Sequence, residues 1–152
     1  MIHPAPTTQI DPTLARGTIV EVNDATATKP AQVVLSFPNN SYRAAFETND
    51  DLGVLRSHLG EMILGRIFAT ARRMDRPLAG GRRLDPCFGT PTRVMGTVIA
   101  TDPVANVVVV DAGAPVILTL SAPGQHAKAF ADAEFVVCDV APGARFSLVS
   151  SN

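Results

Sequence analysis

Two stretches of this chain open and close alike, and that likeness limits its possible folds more than any other feature. Arg16-Gly17-Thr18-Ile19-Val20 opens the first; Met95-Gly96-Thr97-Val98-Ile99 opens the second. Gly81-Arg82-Arg83-Leu84 closes the first, and Gly143-Ala144-Arg145-Phe146 closes the second. A pseudo-repeat of this length within 152 residues points to two small units in tandem.

The residues between these marks read as strands. The chain is 46% hydrophobic, with no Trp and one Tyr, and carries 12 prolines and 11 glycines. Short apolar runs punctuated by turn residues favour a β-rich fold. Residues 17–23, 32–37 and 42–48 alternate as strands, and Pro38-Asn39-Asn40 marks a turn. Thr48-Asn49-Asp50-Asp51 then offers cap oxygens for a helix. Leu52, Leu55, Leu59, Met62 and Ile63 follow at helical spacing, with Gly65 placed to end the helix. Residues 67–73 and 82–84 read as a last strand pair across a turn at 75–81. The second half repeats the scheme: strands at 93–101, 106–111 and 116–121, a short helix at 125–131, and a strand pair 135–140 and 145–149 across Pro142-Gly143.

This organisation divides the chain into an extended arm (1–15), a first unit (16–85), a Pro-rich linker (86–92) and a second unit (93–152). Three strands, a helix and two further strands in each unit resemble the OB-fold, a five-stranded Greek-key barrel. The resemblance covers roughly 16–150 and is one of fold pattern, so it assigns no catalytic or binding residue. The expected fold class is mostly β: two small OB-like five-stranded barrels in tandem, with one clear helix in the first half. A single fused sandwich or barrel built from both halves is the alternative.

Charge narrows the functions. The net charge is −1, so the whole chain has no electrostatic case for nucleic acid or an anionic membrane. Its distribution is uneven. Arg66, Arg72, Arg73, Arg76, Arg82 and Arg83 face one acid, Asp75, between 66 and 83. OB-folds often bind single strands, which requires cations for phosphates and aromatic faces for bases. Tyr42, Arg43, Phe46, Arg72, Arg73, Arg76, Arg82 and Arg83 are therefore the candidate partner-binding residues. The same arginines could instead pair with Asp75, Asp85 and other acids, or meet another protein chain. Alternation sends Arg72 and Arg73 to opposite faces.

No residue pattern signals catalysis. His3, His58 and His126 lie far from any His or Cys at ligand spacing, so no metal is expected. Cys87 and Cys138 are too few for a disulfide framework, and nothing beside them supplies a base. Asp50 and Asp51 read as helix caps and Gly80-Gly81 as a hairpin turn. No phosphate loop or dinucleotide fingerprint occurs, and no cofactor is expected. The expectation is a cytoplasmic, non-enzymatic binding or assembly module, with a protein partner or a second copy of the chain and no membrane. Single-stranded nucleic-acid binding through the arginine-rich edge of the first unit is the alternative.

Overall fold

The computed structural model describes residues 11–38, 43–77, 80–86 and 88–151. It is mostly β, with one α-helix and eleven strands in a single mixed sheet. Strand β1 (Ala15–Asn23) buries Ala15, Gly17 and Ile19 on one face, as period-2 alternation requires. β2 (Gln32–Ser36) adds Val33 and Leu35, and β3 (Arg43–Glu47) adds Ala44 and Phe46. Their register is antiparallel, with Leu35 opposite both Ile19 and Ala44.

The helix is shorter than its apolar spacing predicts. α1 spans only Leu52–Ser57, capped by Asp51, whose carboxylate accepts from the Gly53 amide at 2.8 Å. Gly60, at φ +81, turns the chain out of the helix. Of the expected stripe only Leu55 is a buried helical residue, while Leu59 and Met62 are exposed. Ile63 is buried, but as the second residue of β4 (Met62–Asp75). Residues 62–67 fit a helical period and a two-residue period equally well. Burial of Ile63, Gly65 and Ile67 decides for the strand.

β4 is one strand of 14 residues, and everything else is arranged about it. Its first part pairs with β1, with Ala15 opposite Gly65. Its last part runs parallel to β9 (Pro115–Leu120), with Ala71 opposite Leu120. Along its other edge lie β11 (Arg145–Ser151) and then β10 (Phe135–Val140), both antiparallel to it. Two closed circuits of pairing result. One runs β1-β2-β3-β11-β4 and returns to β1. The other runs β4-β10-β7-β8-β9 and returns to β4, with β7 at Arg93–Asp102 and β8 at Val107–Asp111.

The circuits match in detail. Ile19 N donates to Glu61 O and Gly60 N to Ile19 O; Val98 N donates to Glu134 O and Ala133 N to Val98 O. Gly60 and Ala133 both have positive φ, +81 and +72. β1 slips register between Ile19 and Glu21, and β7 slips between Val98 and Ala100. Gly17 and Gly96 therefore occupy equivalent places, each close to the carbonyl that ends the next strand, Ser36 or Asp111.

The closing segments are not equivalent. Residues 82–84 do not return onto 67–73. β5 (Arg83–Asp85) pairs instead with β7, Leu84 opposite Val94. Nor do β10 and β11 form a hairpin. Residues 141–144, with Gly143 at φ +103, carry the chain onward along the same edge of β4. Ala141 N donates to Thr70 O there, where a hairpin would have reversed the chain. The helix expected at 125–131 is a 3-10 turn, Ala127–Ala129. The short β6 (Phe88–Gly89) runs parallel to the start of β3.

The core is a single cluster that includes Ile19, Phe46, Leu55 and Ile67 on one side and Val98, Val110, Leu118 and Val136 on the other. Phe146 of β11 packs over Gly65, where a Cβ would overlap the Phe146 ring and the Ser147 carbonyl. Gly65→Ala should therefore cost more than about 1 kcal/mol, since backbone and ring must both shift. Leu118→Ala, in the other circuit, should cost about 2–5 kcal/mol. Because β4 belongs to both circuits, each variant should lower one common thermal transition. Two separately shifting transitions in calorimetry would contradict this.

Candidate functional site

The candidate arginines sit on the last part of β4 and the segment that follows, and their surroundings are acidic. On the outer face of β4-β10-β7-β5, Arg73, Asp139, Arg93 and Asp85 stand opposite one another in register. The signs alternate across four strands. Arg93 Nε lies 3.1 Å from Asp139 Oδ1. Along the strands, Arg73 Nε reaches Asp75 at 3.0 Å and Arg83 Nε reaches Asp85 at 3.2 Å. Opposite charges on facing strand positions stabilise a sheet by a fraction of a kcal/mol each, and exposed pairs contribute little more. Their larger effect here is to neutralise the face.

The remaining arginines are held as well. Arg82 Nη1 lies 3.3 Å from Asp111 Oδ2. Arg76 pairs with the Glu134 carboxylate, donates to the Ala129 carbonyl and lies 4.6 Å over the Phe130 ring. The hydrogen bond from Arg76, together with one from the Ala131 amide, holds the Glu134 carboxyl below its usual range. Arg66 pairs with Asp11 at 2.9 Å. The Thr13 hydroxyl and amide, ahead of Arg66, keep the Asp11 carboxyl low.

Arg72 differs. Asp139 faces Arg73 while Val140 faces Ala71, which leaves Arg72 as the extra residue of a β-bulge. The bulge breaks the expected alternation, and Arg72 and Arg73 are both exposed. Among the described residues Arg72 has no carboxylate partner.

The third-strand candidates do not join this group. Phe46 is 1% exposed and packs edge-on against Phe37 at 6.4 Å, so its ring offers no face to a base. Arg43 is exposed opposite Phe88, itself 64% exposed. Tyr42 lies outside the described residues.

Asp50, expected as a helix cap, and Gln125 and Asn106, which the one-dimensional pattern left unmarked, have structural tasks. Asp50 Oδ2 accepts from Leu148 N at 2.7 Å and so holds β11 rather than capping the helix. Gln125 clamps the Met74 backbone, accepting from its N at 2.7 Å and donating to its O at 2.6 Å. Asn106, at φ +57, ties the amide of Ala127 to the carbonyls of Leu120 and Gln125. Each partner is 14 to 98 residues away in sequence, so no local signal marks them.

Among the described residues no group of three or more His, Cys, Asp or Glu is placed to hold a metal, and no helix is long and apolar enough to cross a membrane. Comparison with protein-family models, with curated proteins and with solved structures gives no match.

Cys138 is buried, and burial, reinforced by the neighbouring Asp139 charge, pushes its thiol up to about 12. A thiol needs its thiolate form to react. With Cys87 replaced by Ser, the native chain should therefore resist a disulfide reagent at pH 8 and react only on unfolding. The unfolded thiol releases its proton first, so stability should fall as pH rises from about 9 towards about 12, by about 1.4 kcal/mol per unit at most. Urea midpoints compared with those of Cys138→Ala would show it; equal pH slopes in both proteins would contradict it.

Proposed function

We propose that this protein is a non-enzymatic binding and assembly module that acts through protein–protein contacts. The pairing of Arg73, Arg76, Arg82 and Arg83 with Asp75, Glu134, Asp111 and Asp85 carries the reading. An edge built to hold phosphates would leave its guanidinium groups to displace counterions. An edge of alternating sign suits a protein surface of complementary charge, where such groups set register and exclude wrong partners.

The architecture is read as two OB-like barrels that share β4. In the first circuit the helix stands between the third and fourth strands, as in that fold, and β11 serves as the fifth strand. In the second, the 3-10 turn takes the helix's place and the last part of β4 is the fifth strand. Fold alone does not set function, so the assignment rests on the charge pattern.

The test is binding by the purified full chain. A single-stranded oligonucleotide should bind weakly, with little dependence on salt. Replacing Arg72, Arg76 and Arg82 together should change the oligomeric state in sedimentation, or abolish nuclease-resistant capture of a native partner. Tight binding to the oligonucleotide that weakens steeply with salt would overturn the proposal in favour of nucleic acid.

A further inference from the structure

Where the two circuits meet, three connections converge on one cleft. They are the bulge of β4 at Arg72, the start of the onward run after β10 at Val140–Pro142, and the segment Thr90–Thr92 that leads into β7. Backbone bonds fix the arrangement: Thr92 N donates to Asp85 O, and Val140 N donates to Thr92 O. The cleft encloses about 690 Å³. Pro91, Val140 and Pro142 form its apolar part, and Arg72, Arg93, Asp85 and Asp139 bring charge to it.

The lining charges sum to zero, but both carboxylates are already paired. Asp139 is engaged by Arg93, and Asp85 by Arg83. Arg72, the bulged residue, lines the cleft without a carboxylate partner among the described residues. A guanidinium in this position presents a fork of donors that matches a carboxylate bidentately. The two wall carboxylates disfavour a dianionic phosphate more than a single monoanionic carboxylate beside Arg72. The prolines offer no N–H groups with which to cradle a phosphate. Pro142, exposed at the cleft, offers instead a rigid apolar surface for an aliphatic side chain.

We propose that this cleft is a docking site for an acidic peptide segment of a partner protein. A Glu or Asp carboxylate pairs with Arg72, and a neighbouring aliphatic residue packs on the exposed Pro142. The proposal rests on reading the protein as a protein-contact module, and it names the chemistry of the contact.

Nuclear magnetic resonance of the Arg72 side-chain N–H groups in the full chain tests it. The probe is an acetylated, amidated hexapeptide with one Glu beside a Val and Ser at the other positions. Controls are its Gln-for-Glu counterpart, inorganic phosphate and a short oligothymidylate. The Glu peptide should shift the Arg72 signal saturably. The Gln peptide should bind about tenfold more weakly or worse, a difference of about 1.4 kcal/mol. Arg72→Gln should lose affinity for the Glu peptide by a similar factor while melting at the wild-type temperature. Arg73→Gln, whose side chain is engaged by Asp75, should bind as the wild type does. Equal binding of the Glu and Gln peptides, tighter binding of phosphate or oligothymidylate, or undiminished binding by Arg72→Gln would overturn the site. So would the absence of any Arg72 shift at millimolar peptide. In that last case continued capture of a native partner would leave the broader module reading standing, so the two failures are distinguishable.

Discussion

The structure depends on the hydrogen-bonded ladders that β4 makes along both of its edges. Its first residues lie between β1 and β11, residues 68–71 pair with β9, and its last residues pair with β10. Its inward side chains, Ile63, Ile67, Ala71 and Met74, are buried in the core cluster. Neither circuit can close without β4. Gly65, Asp50 and Gln125 matter because they determine what may lie against it. Gly65 admits the Phe146 ring, Asp50 tethers β11 through Leu148, and Gln125 fastens the loop before the 3-10 turn to Met74.

The fold class was legible because short Val-, Ile- and Leu-rich runs between Pro and Gly leave little alternative to strands. The equivalence of Gly17 and Gly96 was legible as well, since both sit where a Cβ would crowd a facing carbonyl. The strand partners were not. A run such as 145–149 shows that it will be a strand and which face it buries, but contains nothing about a β4 that lies some eighty residues earlier. The helix boundary failed for another reason: Met62-Ile63-Leu64 satisfies both periods, and burial against distant strands decides between them. Phe46 was an ambiguous signal of the same kind, because an aromatic in an alternating strand can serve a core or a surface.

The arginines were visible in the sequence, and their neutralisation was only half visible. Asp75 and Asp85 lie two residues from Arg73 and Arg83 and can be read as local pairs. Asp111 and Glu134 come from the other half of the chain and meet Arg82 and Arg76 only in the fold, and Asp139 lies 46 residues beyond Arg93. The bulge that isolates Arg72 is a matter of register between β4 and β10, which one strand's sequence does not record.

The order of the strands along the chain also bears on how the protein is made. The first circuit is completed by β11, whose Leu148 amide meets Asp50 across 98 residues. A ribosome releases residues 15–75 well before residues 145–151. During that interval the edges of β3 and the first part of β4 that β11 later covers present unpaired backbone N–H and C=O groups. Long-range pairing of this kind is slow to form and leaves partly folded chains prone to association. Closure of the first circuit therefore waits on residues 145–151, and until they emerge the nascent chain is exposed to wrong pairing.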